Sequence, residues 1–308
     1  MELAKDQKYE IIGKIENINQ GQNFSNTSIT DKNKEHFNIK LDFEHLKQIE
    51  VGRVYRFETQ AVSKNEEEIV LKCLNIEPIE TLFSGQELID IYDQFYRFAP
   101  LPITQIKDGV EAYLSKIENR VLKQITENIY LKNKDRFYSH PAATKFHHAY
   151  VGGLSYHTLS MLNLIEPFIK AYPYLNRDLL YAGTILHDMS KINEISGVDG
   201  EYTTEGQLLG HLVMQTAEIE KVADQLGTAN TEEALLLKHM IISHHGIPNF
   251  GSPKKPQIGE ALLLWYLDTI DSKFTELETA LEETKEGQFT TPIAVLDKMK
   301  FYKASIKK

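Results

Sequence analysis

The sequence predicts a mainly α-helical chain that begins with a small β-domain. Three observations predict it. Short runs between about residues 8 and 76 alternate apolar and polar side chains, the period of a half-buried strand. From residue 106 onward apolar residues recur three and four apart, as a helix with one buried face requires. Between the two regions, APLPIT places two prolines where a helix must break.

In the first region KYEIIGKIENIN alternates in part and runs into the turn GQNFS. HFNIKLDF alternates again, and VGRVYRFETQAV and EEIVLKCLNIEPI follow, separated by the polar turn SKNEE. EHLKQI, between the third and fourth strands, reads as a short helix. Five strands with one intervening helix in about 75 residues is the plan of a closed oligonucleotide-binding (OB) barrel. EPIETLFSG then leads into the helical pattern QELIDIYDQFYRF, and the boundary is placed near residue 82. This gives an OB-like barrel over residues 1–82 and a helical domain over 83–308.

Within the helical domain IKDGVEAYLSKIENRVLKQITENIY carries a helix-period apolar face. GGLSYHTLSMLNLIEPFIKAY, RDLLYAGTILHDMSKI, LGHLVMQTAEIEKVADQL, TEEALLLKHMIISHHG and IGEALLLWYLDTIDSKFTELETALEET follow. Their connections, YPYLN, GVDG and GIPNFGSPKKP, carry Pro, Gly or Asn. There is no internal repeat and no low-complexity tract.

Composition bounds the function. Apolar residues at 42% and charged residues at 25% are ordinary for a globular chain with a real core. No apolar run is long enough for a transmembrane helix, and MELAKDQKYE lacks a signal-peptide core. Cys73, the single cysteine, has no internal partner for a disulfide, so the expected compartment is the reducing cytoplasm. The net charge of −10 argues against a general nucleic-acid binder. A polyanionic substrate would have to be attracted locally, by bound cations or a small basic patch. Residues 1–80 hold 11 Lys+Arg against 15 Asp+Glu, a net of −4, which is unfavourable for a nucleic-acid-binding barrel. Phe24, Phe37, Phe43, Tyr55 and Phe57 are the aromatic rings there that could stack on bases. Phe37 and Phe43 read as core.

Histidine carries the functional signal. Nine of the eleven lie between His140 and His245. His157 (VGGLSYHTLSM), the pair His187–Asp188 (GTILHDMSK), His211 (LLGHLVM), the pair His244–His245 (IISHHG) and Asp268 (LLLWYLDTID) fall on or at the ends of successive predicted helices, 20 to 35 residues apart. A helical bundle can bring such positions to one centre. Imidazole nitrogen and carboxylate oxygen suit Mn, Fe, Co, Ni or Zn. Seven groups exceed the four of one tetrahedral site, so two ions are expected, with Asp188 placed to bridge them.

The ordered pattern H…HD…H…HH…D resembles the HD-domain metal phosphohydrolases over residues 140–275. HHAYVGGLSYHTLSM, ILHDMSKI and ISHHG, with the barrel upstream, look like the YhaM-type 3′–5′ exoribonucleases across nearly the whole chain. The resemblance implies an HD-domain helical bundle with one metal on His157, His187, Asp188 and Asp268 and a second on Asp188, His211, His244 and His245. It implies manganese or a similar ion, and a catalytic Asp188. It also implies a catalytic role for Lys191, three residues on and on the same helix face, at the scissile phosphate; the alternative is a solvated helix lysine. The expected activity is removal of nucleoside monophosphates from the 3′ end of single-stranded RNA, or DNA, by a metal-bound hydroxide. Self-association is common in the family, so a homo-oligomer is also expected.

The remaining candidates are open in the sequence. His147 and His148 could bind phosphate or a base at the site mouth, cap a helix or face solvent. Asp271 could hydrogen-bond a metal-bound histidine, or pair with Lys273 at the surface. Lys254 and Lys255, in GSPKKPQ, could guide a phosphate backbone or simply be solvated. His140 and His239 read as structural or surface residues, and His36 and His45 carry no metal spacing. A rival reading keeps the site but acts on a small nucleotide. HHGIPNF lacks the Gly-Tyr-Pro expected after the double histidine of one cyclic-dinucleotide class, which lowers that option. A third reading is a nucleic-acid-binding regulator with an inactive site, against which the complete ligand set speaks.

Overall fold

The computed structural model describes residues 4–21, 24–63, 69–144, 148–248 and 251–306. It divides into two compact units, Met1–Phe98 with Gly197–Glu201, and Ala99–Ser196 with Tyr202–Lys308.

The first unit is a closed five-stranded barrel in the order β1-β2-β3-β5-β4. Its strands are β1 (Lys8–Gln20), β2 (Ser25–Asp31), β3 (His36–Leu41), β4 (Val54–Ser63) and β5 (Ile69–Pro78), with helix α1 (Phe43–Leu46) between β3 and β4. All pairs are antiparallel except β3 with β5. Irregularities at Ile15/Asn17 in β1 and at Leu74 in β5, opposite Glu58/Thr59, break the register and help long strands bend to close a barrel. The pattern of β3 alternates strictly, and Phe37 joins Ile15, Ile29, Ile39 and Phe57 in the interior. This is the OB-like barrel the strand spacing predicts. Tyr55 and Phe57 are buried in it, so their rings are not available to a ligand. Phe43, expected in the core, is 61% exposed. It opens α1 just past the end of β3, where the strand alternation no longer governs, and Lys47 sits over its ring at 4.4 Å. Phe24 is exposed as well. Helix α2 (Gly85–Phe95) follows β5 within this unit.

The second unit is helical: α3 (Ile103–Ser115), α4 (Arg120–Phe137), α5 (Gly153–Ala171), α6 (Arg177–Leu186), α7 (Lys191–Glu194), α8 (Thr204–Gln225), α9 (Glu232–Ser243) and α10 (Gly259–Glu282). The apolar stretch predicted over IKDGV…ENIY is interrupted between α3 and α4. Asn119 caps α4 by accepting from the N–H groups of Val121 and Leu122, and Asp178 takes the N–H groups of Glu118 and Asn119. The central element is α6. Residues Leu179 through Leu186 are all buried, and it packs against α3, α4, α5, α9 and α10. A helix apolar all round belongs in the middle of a bundle. Its C-terminal end therefore delivers His187 and Asp188 to the interior. No helix among the described residues is long and apolar enough to cross a membrane.

Candidate metal centre

Each functional side chain reaches the centre through a distinct local device. His157 lies in the second turn of α5 with its side chain buried. His187 and Asp188 stand where α6 ends. His211 follows Gly210, whose φ of +72° kinks α8 and re-aims the helix. The N–H of His211 donates to Glu194 Oε1 at 3.0 Å. His244 and His245 lie beyond the last turn of α9, where Gly246 at φ +77° ends the helix. Successive residues on a regular helix point about 100° apart. Leaving the helix lets both rings turn to one side, with centroids 4.3 Å apart. Asp268 comes from α10.

Asp188 is the hub. Its Oδ1 lies 3.3 Å from His211 Nε2 and 3.6 Å from His244 Nε2. Its Oδ2 lies 3.4 Å from His187 Nε2, 3.8 Å from His157 Nε2 and 2.7 Å from Lys191 Nζ. His157 Nε2 is 3.3 Å from Asp268 Oδ1 and 3.2 Å from His187 Nε2. Among the described residues three groups could hold a cation: Asp188, His211, His244 and His245; His157, His187 and Asp268; and His148, His157 and Asp271, in which Asp271 already takes the His157 and His148 ring N–H groups. The first two meet at Asp188, which offers one oxygen to each.

Four imidazoles share one orientation. Nδ1–H of His187 donates to the Thr184 carbonyl at 2.8 Å, and that of His244 to the Ile241 carbonyl at 2.7 Å. Nδ1–H of His157 donates to Asp271 Oδ2 at 2.7 Å, and that of His211 to Glu194 Oε2 at 2.9 Å. Carbonyls and carboxylates only accept, so Nδ1 carries the proton and Nε2 is turned inward in all four. Nε2 of His211, Nε2 of His244 and Oδ1 of Asp188 are buried without a hydrogen-bond partner. Buried polar atoms left this way are rare and demand an explanation, and an ion is one.

Charge follows the same geometry. Burial works against ionisation of Asp188, but Lys191 and His187 outweigh it and hold the carboxyl well below its usual range. Burial likewise opposes charge on Asp268 and Asp271, and His157 for the first, His148 and His157 for the second, keep both low. Burial opposes protonation of His157, but Asp268 and Asp271 push its pKa up to about 10. Three ionised carboxylates thus surround His157 and call for positive charge. Burial pushes His245 down to about 4 and also lowers His244, so both stay neutral donors at pH 7.

The other expected residues fall as follows. Lys191, its side chain mostly buried, pairs with Asp188, and that carboxylate outweighs the burial that would lower its pKa. Asp271 is buried and binds both His157 and His148; its pairing is with these rings rather than with Lys273. His148, expected at an open mouth, is instead buried behind His157. Its Nε2–H donates to Asp271 at 2.8 Å and its Nδ1 meets the Tyr150 hydroxyl at 2.7 Å. His147 lies outside the described residues. Lys254 and Lys255 are exposed and border a cavity with Leu235, Lys238, His239, Ile242 and Gln257. His140 is buried, with Nε2 3.0 Å from the Lys191 carbonyl, which braces the segment bearing Asp188. Glu194 is the participant that sequence reasoning missed. It reaches His211 because α8 kinks at Gly210, a bend that no sequence spacing announces.

Fold and site define a class: an OB-like barrel followed by a helical domain with a buried histidine–aspartate centre. No family model matches the chain. Individual relatives do. It is 43% identical over 239 residues to the 3′-5′ exoribonuclease YhaM of Bacillus subtilis (strain 168), spanning 77% of this chain and 74% of that protein. It is 44% identical over 234 residues to the YhaM of Bacillus licheniformis, spanning 76% and 73%. The YhaM of Geobacillus sp. (strain WCH70) is 43% identical over 210 residues, spanning 68% and 64%. The chain belongs to the YhaM family.

Proposed function

We propose that the chain is a divalent-metal-dependent 3′–5′ exonuclease of the HD type that shortens single-stranded RNA to nucleoside monophosphates. The family supports the reaction and its polarity, since the relatives are named 3′-5′ exoribonucleases. The observation that carries the metal reading is the common orientation of His157, His187, His211 and His244. Each has Nδ1 tied to an acceptor and Nε2 turned toward Asp188. The donor set fits two ions of the manganese type. His157, His187, Asp188 and Asp268 would hold one; Asp188, His211, His244 and His245 would hold the other. Bound there, such ions supply charge to neutralise a phosphate and lower the pKa of water toward neutrality.

The chain's own residues do the rest. Asp188 spans both ligand groups and fixes their separation. Lys191, on the Oδ2 side of Asp188, is assigned to a non-bridging oxygen of the scissile phosphate. Water adds to phosphorus, the bond to the preceding O3′ breaks, and that oxygen takes a proton. No side-chain nucleophile takes part. Asp271 and Glu194 orient His157 and His211, and His148 holds Asp271. Lys254 and Lys255, on the loop after the double histidine, are assigned to the incoming backbone. In the barrel, Phe24 and Phe43 are the rings available to a single strand.

The test is hydrolysis of 5′-labelled single-stranded RNA, and its DNA counterpart, with Mn²⁺. Wild type should give a ladder shortening from the 3′ end, and Asp188→Ala or chelation should abolish it. Internal cuts would overturn the exonuclease form. A protein that cuts neither strand but cleaves small phosphate esters would move the substrate to a nucleotide.

A further inference from the structure

Trp265 is the only tryptophan in the chain. It stands on α10 three residues before Asp268, on a neighbouring part of the helix surface. Its ring packs against Gly246, the residue after the double histidine. A Cβ placed on Gly246 would lie 1.9 Å from Trp265 Cε2 and 2.1 Å from Cδ2. The Tyr266 ring stacks with it, centroids 5.2 Å apart and planes inclined by 26°. Trp265 is half-buried and Tyr266 is 49% exposed. Two aromatic rings therefore form a tilted stack that starts at the histidine turn and ends in solvent.

The bundle does not need this stack for its core. The buried apolar residues of α10 are Ala261, Leu263, Leu264 and Leu267, and neither ring is among them. Asp268, three residues on from Trp265, keeps 20% of its side chain open. A stacked pair with one ring left open is suited to a flat π-rich ligand, and every nucleobase presents such a face. Neither ring carries charge, so the surface would accept any base while the phosphate is held elsewhere.

We propose that the Trp265–Tyr266 stack is the platform for a nucleobase of the strand being cut, without regard to base identity. This rests on the nuclease reading above. It explains how a chain of net charge −10 would hold RNA close to its centre: by stacking as well as by charge.

The experiment compares a 5′-labelled RNA with the same RNA carrying abasic riboses at its last three positions. Wild type should cut the base-bearing end with a kcat/KM about 5- to 140-fold higher, the range that loss of one stacked base produces. In Tyr266→Ala that preference should collapse toward unity, and Tyr266→Phe should keep it. In parallel, Trp265 fluorescence is titrated with each RNA in chelator. Saturable quenching by the base-bearing RNA alone is the expected result. A preference that survives in Tyr266→Ala, or equal loss on both ends, overturns the platform. If wild type cuts neither RNA, the nuclease reading fails, and the quench alone still decides whether the stack takes a base.

Discussion

His157 and His211 differ from His187 and His244 in what holds them. The first two lean on carboxylates, Asp271 and Glu194, and the last two on backbone carbonyls of their own helices. A carboxylate can be neutralised by substitution and a carbonyl cannot, so the two ligand groups can be weakened separately. Loss of such an orienting partner typically costs about 10- to 100-fold in metal affinity or activity. Asp271→Asn should lower Mn²⁺ affinity on the His157 side, and Glu194→Gln on the His211 side, each leaving one ion tightly held. Metal titration followed by calorimetry, with content by mass spectrometry, checks this. Two ions lost together in either variant would show that the groups do not fill independently. The sequence made one of these residues visible. Asp271 follows Asp268 by one helical turn, whereas Glu194 reaches His211 only because α8 kinks at Gly210, which no periodicity announces.

At the scale of elements, the ends of helices matter more than their middles. His187, Asp188, His244 and His245 all lie just past a helix terminus. The periodicity of α6 and α9 was plain in the sequence, but the bend that turns both members of HHG inward depends on Gly246. Gly227 gives the comparison: its φ is +70°, and a Cβ there meets nothing within 4 Å. Left-handed backbone costs a non-glycine residue about 1–2 kcal/mol. Gly227→Ala should lower the melting temperature by that alone, about 2–8 °C at 2–4 °C per kcal/mol. Gly246→Ala should lower it further, because Trp265 must also move, and should depress RNA cleavage. Equal shifts in the two variants would remove Trp265 from any role in bracing the double histidine. The break between α3 and α4 was illegible for a related reason. Its apolar spacing continues in register, and only the capping of Asn119 and the long-range bonds from Asp178 end the helix.

For the molecule as a whole, charge is the constraint that both sequence and structure leave in force. Apolar alternation was enough to foresee a closed barrel, because a strand's inward face is written in every second residue, as in β3. It could not foresee which aromatic would be open, since Phe43 lies past the strand's end. Folding neutralises part of the barrel's positive charge, though Lys40 and Lys72 stay exposed and face each other across β3 and β5. Lys14 pairs with Asp199, Arg53 with Glu80, and Arg56 with Glu77. The lysines assigned to phosphate are Lys191, Lys254 and Lys255. Single-stranded binding loses about 0.7 in the log–log slope per neutralised phosphate, so three contacts give a slope near −2 with monovalent salt. Fluorescence titration of RNA in chelator at rising KCl, where no cutting occurs, should return that shallow value. Replacing Lys254 and Lys255 together by Ala should flatten it by roughly 1.4, the same increment counted twice. A slope near −5 would mean a broader basic track that draws in barrel lysines such as Lys40 and Lys72, and binding would then be electrostatic rather than carried by metal and stacking.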